Sequence, residues 1–163
     1  MMHCQSLPVS ESTIQVALAE YICRRFPDVI FHSDFGSGAY LTRFQAQVNA
    51  RQNGFRRGWP DIFIAKPIVL SGEKRYHGLF IELKRKNIMV TKRGGGWANE
   101  HLKEQGGVLL KLADAGYAVT MALGLDAAIE AVDDYLLYNR RRDARQRIAE
   151  RIGILRARQS STQ

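Results

Sequence analysis

Cysteine is scarce in this chain, and long apolar runs are missing from it. The two cysteines, Cys4 and Cys23, have neither metal-ligand spacing nor the density of a disulfide framework, which favours a reducing compartment. No apolar run approaches the roughly 20 residues that a membrane-spanning helix needs. Residues 1–10 lack the charged and apolar regions of a signal peptide. We therefore expect a cytoplasmic protein with no membrane partner.

Acidic residues are also in deficit. The chain has 24 Lys and Arg residues against 16 Asp and Glu residues, which gives a formal net charge of +8. Because the basic residues are unevenly placed, this excess favours a polyanionic partner over a protein that is merely basic. With 163 residues, of which 45% are hydrophobic, the chain is long enough for one domain with a substantial core.

Apolar periodicity predicts alternating helices and strands. Ile14, Leu18 and Ile22 form a helical stripe that follows Ser10, a candidate N-cap. The predicted helices cover residues 11–25, 41–53, 98–115 and 126–139, and the predicted strands cover 29–33, 61–65, 78–84 and 117–123. No crossover helix fits between the second and third strands, so we expect them to pair as an antiparallel hairpin or meander.

Two carboxylates and one ammonium are expected to meet in this strand pair. Asp61 follows a Gly-Trp-Pro turn, and Glu82 and Lys84 share one face of their strand because strand side chains alternate. If the strands are antiparallel, Asp61 lies next to Glu82. Two hard oxygen ligands with a backbone carbonyl, that of Leu83, suit Mg²⁺ or Mn²⁺. Lys84 would orient an attacking water or balance charge on a phosphate.

A plainer interpretation exists for each of these residues. Glu82 and Lys84 are also compatible with a solvated pair on an edge strand, and Asp61 with a turn cap, since Asp is common after Pro in turns. A charged pair placed among Leu, Phe and Ile in a central strand is costly unless it has a purpose. The three residues together, in a basic chain, favour the metal site.

The first helix offers a further carboxylate. Glu11 lies on the buried stripe with Leu18, whereas Glu20 lies on the opposite side of the helix and is expected to face water. Gln15 is one turn after Glu11, on a similar face. A glutamine near a buried stripe is about as often a simple helix former as a site residue, and this applies to Gln105 as well. The four histidines do not cluster; they are His3, His32, His77 and His101.

The ordered set of these motifs resembles a VRR-NUC domain, a branch of the PD-(D/E)XK nuclease superfamily. The resemblance covers roughly residues 10–138. The matching elements are Glu11-x-x-x-Gln15, Gly58-Trp59-Pro60-Asp61, Ile81-Glu82-Leu83-Lys84, and Gln105 followed by Leu112 and Gly116-Tyr117. It implies an α/β, restriction-endonuclease-like α-β-β-β-α-β core with a central mixed sheet flanked by helices. The nuclease domain would span residues 1–139, with an arginine-rich tail or helix at 140–163.

The resemblance also implies an activity and its residues. It implies Mg²⁺- or Mn²⁺-dependent hydrolysis of DNA phosphodiester bonds, with Asp61 and Glu82 as metal ligands. Lys84 would be the catalytic lysine, Glu11 the helix carboxylate and a possible metal ligand, and Gln105 a supporting active-site residue. Small members of the family look like phage or bacterial proteins and often resemble dimeric Holliday-junction resolvases. A homodimer acting on Holliday junctions or flaps, in a bacterial or phage-infected cytoplasm, is therefore expected. No chemistry is assigned to Trp59.

Basic residues flank the metal motifs and are expected to line a groove for a nucleic-acid backbone. They are Arg43, Arg51, Arg56, Arg57, Arg85, Lys86, Lys92 and Arg93. The glycine-rich stretch 92–96 would either present backbone amides to phosphate or be mobile. The arginine-rich stretch after residue 139 would be a solubilising end, a DNA-gripping helix or a dimer contact. Ile148, Ile152 and Leu155 at helical spacing favour a helix or a dimer contact.

Three alternatives to a junction or flap endonuclease stay open. One is a restriction-like or single-strand nuclease with the same core. Another is a catalytically inactive DNA-binding protein, whose expected mark would be a missing ligand. The last is an RNA-binding role, which is disfavoured because the aromatic patterns of common RNA-binding modules are missing from the sequence.

Overall fold

A computed structural model describes residues 9–34, 42–52, 58–69, 75–138 and 144–160. The four predicted helices and four predicted strands are confirmed, with ends that differ by at most three residues. A short strand pair and a C-terminal helix add to them. In chain order the elements are α1 (Glu11–Arg25), β1 (Phe31–Ser33), α2 (Arg43–Gln52), β2 (Ile62–Ile64), β3 (Ile68–Val69), β4 (Arg75–Tyr76), β5 (Leu79–Lys84), α3 (Glu100–Asp114), β6 (Ala118–Leu123), α4 (Leu125–Leu136) and α5 (Ala144–Ser160).

A four-stranded mixed sheet forms the centre of the fold, in the order β1-β2-β5-β6. Strand β2 is antiparallel to both of its neighbours, β1 and β5, whereas β5 and β6 are parallel. The register pairs Ile62 with Ile81, as the predicted antiparallel pairing requires. The parallel pair is joined by α3, as a parallel connection needs a crossover. The predicted α/β architecture with a central mixed sheet flanked by helices is confirmed.

Strand β5 is buried on both faces. All six of its residues are buried. Ile81 and Leu83 join the hydrophobic cluster that includes the buried stripe of α1 and residues of α4, and Phe80 joins the cluster formed with α3. The alternation predicted for this strand is therefore correct. Both of its faces meet protein, so the two charged residues of β5 lie inside the molecule.

Helix α3, which precedes β6, is positioned by its N-cap residue and by a glycine. Asn99 caps α3, with its side chain accepting a hydrogen bond from the Leu102 amide at 2.9 Å. Gly106 lies in the middle of α3, where the ring of Trp97 packs directly against it; an added Cβ would lie 2.2 Å from that ring. Trp97 is itself buried. This contact sets how closely α3 approaches the preceding loop.

The connection between β2 and β5 carries an element that the sequence did not reveal. Strands β3 and β4 pair Ile68 with Tyr76 in a two-stranded antiparallel ribbon. Tyr76 is buried in the same cluster as Ile81. The sequence showed this segment as polar, because strands of two residues are too short to display an alternating pattern.

Helix α5 is packed into the body of the protein. It contacts α3, β6 and α4. Ile148 belongs to the α1/α4 cluster, and Leu155 belongs to the α3 cluster on the other face of the sheet. Because β6 is an edge strand with α3 and α4 on either side, a helix that contacts all three covers that edge. The helix expected in the arginine-rich stretch is present, and its apolar residues Ile148 and Leu155 pack inward within the same chain.

No helix in the described part of the chain is long and apolar enough to cross a membrane.

Candidate active site

The turn before β2 holds Asp61 against the central strand. The Asp61 carboxylate Oδ2 accepts a hydrogen bond from the Leu83 amide at 2.7 Å. The Asp61 carbonyl accepts from the Asp34 amide at 2.9 Å. This carboxylate therefore bonds to the neighbouring strand, so the interpretation of Asp61 as a plain turn cap is wrong.

A glycine lets this turn approach α3. Gly58 has a positive φ of 79° and lies so close to α3 that an added Cβ would be 3.2 Å from the backbone of Gln105. An L-residue with a side chain is disfavoured at such a φ. Gly58 thus allows the turn before β2 to lie directly against the backbone of α3.

Gln15 anchors the other side of the turn. Its Nε2 donates to Ser33 Oγ at 2.9 Å and also bonds to the carbonyls of Asp34 and Asp61. These contacts tie α1 to the end of β1 and to the start of β2. Sequence periodicity placed Gln15 on the inner side of α1, but its partners come from segments distant along the chain and were not predicted.

Glu82 and Lys84 form a buried ion pair in the middle of the sheet. Their exposed fractions are 1% and 4%, and Lys84 Nζ lies 2.6 Å from Glu82 Oε1. The alternative of a solvated pair on an edge strand is therefore wrong. Lys84 also reaches Glu11, whose Oε2 lies 3.8 Å away and whose side chain is 43% exposed. Through Lys84, Glu11 thus belongs to one charged cluster with Glu82 and Asp61. Glu20 is exposed, as predicted.

Gln105 completes the cluster from α3. Its side-chain Nε2 donates a hydrogen bond to Glu82 Oε1, and its own exposed fraction is only 6%. Glu82 Oε1 therefore accepts from both Gln105 and Lys84. The side chain of Gln105 is directed into the cluster, which periodicity had left undecided.

Burial disfavours the charge on both central carboxylates, and neighbouring acidic groups add to this effect. Burial, and then the charge of Asp61, raise the pKa of Glu82 to about 8, although Lys84 opposes the shift. Burial likewise raises the pKa of Asp61, while the Leu83 hydrogen bond and then Lys84 lower it. A cation bound beside Glu82 and Asp61 would favour the charged form of each carboxylate.

Oxygen atoms suited to a hard cation are present beside this pair. Among the described residues, Glu82 Oε2 and Gln105 Oε1 are buried without a hydrogen-bond partner. Such buried acceptors are costly unless something is bound there. No three His, Cys, Asp or Glu side chains of the described segments converge into a complete ligand group. The donor set is thus two carboxylates, with main-chain oxygen and solvent left to complete it.

The strand register indicates which main-chain oxygen can join the two carboxylates as a ligand. Extending the pairing of Ile62 with Ile81 places Leu83 opposite Pro60, which has no amide hydrogen to donate. The next carbonyl, that of Lys84, accepts from the Gly124 amide on the other side of the strand at 2.7 Å. Because successive carbonyls point to opposite sides, that of Leu83 points towards the Asp61 side. The residues present therefore fit a small, oxygen-preferring divalent cation.

Comparison with known proteins bears on the fold. No family model matches this chain, and no curated protein matches it. A solved structure described as a VRR_NUC domain protein is similar, with a TM-score of 0.51 and 21% sequence identity over 80% of this chain and 90% of that chain.

The protein has the VRR-NUC fold.

The basic residues expected to line a groove are exposed wherever the structure describes them. Arg43, Arg51, Arg85, Lys92 and Arg93 are exposed. Lys86 is exposed and lies 3.8 Å from Asp126. Arg56 and Arg57 lie outside the described residues, as does His3. The three other histidines, His32, His77 and His101, do not form a ligand group.

The glycine-rich stretch after β5 is a closed turn. Thr91 pairs with Trp97 across it. The Lys92 amide donates to the Gly96 carbonyl and the Gly95 amide donates to the Lys92 carbonyl, each at 3.1 Å. Two of its amides are thus used inside the turn, and Trp97 anchors its end in the α3 cluster.

Asp34 is a neighbour of the site that the sequence interpretation missed. Its charge contributes to the raised pKa of Asp61. Asp34 directly follows β1, and the register pairs Ser33 with Ile62, so Asp34 comes opposite Asp61. An acidic residue directly after a predicted strand was the available signal.

Proposed function

We propose that this protein is a metal-dependent nuclease that hydrolyses phosphodiester bonds in DNA. The observation that carries the proposal is the buried Glu82–Lys84 pair in the central strand, with the Asp61 carboxylate held next to it and buried oxygen atoms lacking partners. The VRR-NUC fold and the net charge of +8 support it.

The ligands of the proposal are Asp61, Glu82 and the Leu83 carbonyl, with Mg²⁺ or Mn²⁺ as the ion. When bound, such an ion supplies charge stabilisation at the phosphate and a more acidic water. Asp61 is fixed for this role by the Leu83 amide. Glu11 would act as a ligand through solvent or hold Lys84, since its exposed carboxylate already faces that ammonium at 3.8 Å.

Lys84 is the residue that would act on the reacting water. Its Nζ is held between Glu82 and Glu11, so its position is set by two carboxylates. An ammonium held in this way orients the water or balances the extra negative charge of the transition state. Gln105 would act as a positioning residue, because its amide bonds to Glu82.

The finer proposal concerns the substrate. The resemblance of the ordered motifs supports branched DNA, such as four-way junctions or flaps, cut by a homodimer. Exposed basic residues, among them Arg43, Arg51, Arg85 and Arg93, would contact the phosphate backbone. A restriction-like or single-strand nuclease would share the same site and differ in substrate preference.

Cleavage assays on labelled DNA test the proposal. Linear duplex, single-stranded, flap and four-way substrates would be incubated with Mg²⁺, with Mn²⁺ or with EDTA. We expect cleavage that depends on the metal and that is lost in Asp61→Asn, Glu82→Gln and Lys84→Met. Glu104→Gln is the matched control, since Glu104 adjoins Gln105 but is exposed.

The outcomes of this assay test the proposed site, the preference for branched DNA and the homodimer separately. Metal-dependent cleavage that persists in both Asp61→Asn and Glu82→Gln would refute the proposed site. Cleavage of linear duplex and four-way DNA at equal rates would refute the preference for branched DNA and leave the nuclease proposal intact. Paired nicks across a four-way junction, together with a dimer in light scattering, would support the homodimer.

A further inference from the structure

An exposed tryptophan stands directly beside the proposed active site. Trp59 is 54% exposed, whereas Trp97, the other tryptophan of the chain, is 4% exposed. Trp59 lies two residues before Asp61, in the turn that delivers that carboxylate to β5. Single exposed apolar residues are ordinary on protein surfaces. Trp59 differs from them in how its ring is held and in what it adjoins.

The Trp59 ring is supported from below by other aromatic rings, of which Phe80 is buried. It packs edge-to-face on Phe80, with ring centroids 5.4 Å apart and planes at 83°. Phe80 is stacked on Phe63, with centroids 4.4 Å apart, and packs edge-on against Tyr117 at 5.1 Å. The indole thus rests on a fixed aromatic layer while more than half of the residue remains open to solvent.

The backbone on both sides of Trp59 is restricted as well. Gly58 is held against the α3 backbone, and Pro60 limits the residue before it to extended conformations. A side chain fixed in this way loses little conformational entropy when it binds a ligand. Trp59 is therefore an organised flat surface before any ligand arrives.

The position of the ring relates it to the proposed chemistry. Phe80 precedes Glu82 by two residues on β5, so the two side chains lie on the same face, about 7 Å apart along the strand. Trp59 covers Phe80 and is thereby next to the carboxylate cluster on that face. A flat apolar surface at this distance from a phosphodiester-cleaving site suits a nucleobase attached to the same strand.

We propose that Trp59 is a stacking platform for an unpaired nucleobase, and that it makes the protein select DNA whose bases are unstacked at the cleavage position. This inference rests on the proposed nuclease function and names its substrate class: single-stranded DNA or the unpaired bases of a branch point. Base stacking on an aromatic residue is independent of sequence, because every base has a flat face. Bases within an intact duplex are already stacked on one another and are not available to the indole.

Binding measured in EDTA tests the proposal without cleavage. The probes are a short oligothymidylate, an abasic backbone of the same length and a duplex. We expect Trp59→Leu to weaken oligothymidylate binding about tenfold, equivalent to about 1.4 kcal/mol, and to change duplex and abasic binding less than about twofold. Trp59→Phe should retain most of the affinity, because it keeps an aromatic face. Trp59→Leu also keeps apolar cover over Phe80, so a purely structural role would not separate these two variants.

Intrinsic fluorescence gives a second readout. Oligothymidylate should quench the emission of the natural protein and leave that of Trp59→Leu unchanged, since the remaining Trp97 is buried. Phe44→Leu is the matched control, because Phe44 is an aromatic residue of α2 that is 75% exposed. We expect it to bind all three probes like the natural protein.

The outcomes separate this inference from the nuclease proposal. Equal binding of oligothymidylate and abasic backbone by the natural protein would overturn the platform, and this measurement needs no variant to fold. An equal loss of single-stranded and duplex binding in Trp59→Leu would overturn it too. Cleavage activity is measured separately, so loss of cleavage in Glu82→Gln with Trp59-dependent binding retained would support both proposals.

Discussion

The Asp61 carboxylate accepts its hydrogen bond from the amide of Leu83, 2.7 Å away on the neighbouring strand. Pro60, which lies opposite Leu83 in the register, has no amide hydrogen, so the Leu83 amide bonds to the Asp61 carboxylate while the Leu83 carbonyl receives no ladder hydrogen bond from Pro60. The same turn therefore ends the pairing of β2 with β5 and positions a carboxylate next to Glu82.

Asp61 is expected to have separable structural and chemical roles. Asp61→Asn keeps an oxygen acceptor for the Leu83 amide, whereas Asp61→Ala leaves that amide without a partner. We expect Asp61→Ala to lower the free energy of unfolding by about 1–3 kcal/mol and Asp61→Asn to lower it by less. Both should abolish cleavage. Urea denaturation measures stability, and Asp28→Asn, an exposed acid on the loop after α1, is the control.

The raised pKa of Glu82 predicts a pH-dependent stability for the metal-free protein. The folded-state pKa of about 8 exceeds the ordinary value of 4.5, so between these values the folded protein binds more protons than the unfolded chain. The stabilising contribution is complete below about pH 4.5 and is lost as the pH rises through 8. We expect the melting temperature in EDTA to fall between pH 6 and 9 by more in the natural protein than in Glu82→Gln. An equal fall of the melting temperature with pH in the two proteins would contradict the raised pKa of Glu82.

Helix α5 is expected to contribute strongly to folding. Leu155 is 2% exposed and Ile154, its neighbour in sequence, is 49% exposed. Leu155→Ala should lower the free energy of unfolding by about 2–5 kcal/mol, because it removes buried methyl groups and leaves a cavity. Ile154→Ala should change it by less than about 1 kcal/mol. Chemical denaturation of the two variants measures the difference, and similar losses would show that the helix is not packed as described.

Two adjacent glycines of α3 are expected to respond in opposite directions to alanine. An added Cβ at Gly106 would lie 2.2 Å from the Trp97 ring, whereas a Cβ at Gly107 would meet nothing within 4 Å. Gly107→Ala should raise stability by about 0.5–1 kcal/mol through helix propensity. Gly106→Ala should lower it, because a buried ring has to shift. The near-ultraviolet circular dichroism of Trp97 should change in Gly106→Ala only.

The parts of the fold that local patterns encode could be predicted from the sequence. The stripe of α1 and the alternation along β5 gave correct elements and correct faces, including the shared face of Glu82 and Lys84. The pairing of β2 with β5 followed from the short polar connection. The structure thus confirms the predicted strands and the side by side placement of Asp61 and Glu82, while their roles stay predictions.

Contacts between distant segments could not be predicted in the same way. The bond of Gln105 to Glu82 depends on how α3 is placed on the sheet, and Trp97 against Gly106 sets that placement. Ile148 and Leu155 are seven residues apart, which is typical of a helix face, but nothing in this spacing indicates that each belongs to a different hydrophobic cluster. Such information lies in the tertiary packing.

The carboxyl groups around Lys84 create an electrostatic contrast within the molecule. Glu11, Asp61 and Glu82 place three carboxyl groups near one ammonium, so acidic groups are concentrated at this site in a chain whose net charge is +8. Where these carboxyl groups are ionised, a DNA strand bound as proposed would meet repulsion at the place where its backbone would be cut. The concentration of divalent cations would then govern how closely a phosphate settles, and the protein would hold DNA loosely until such ions are present.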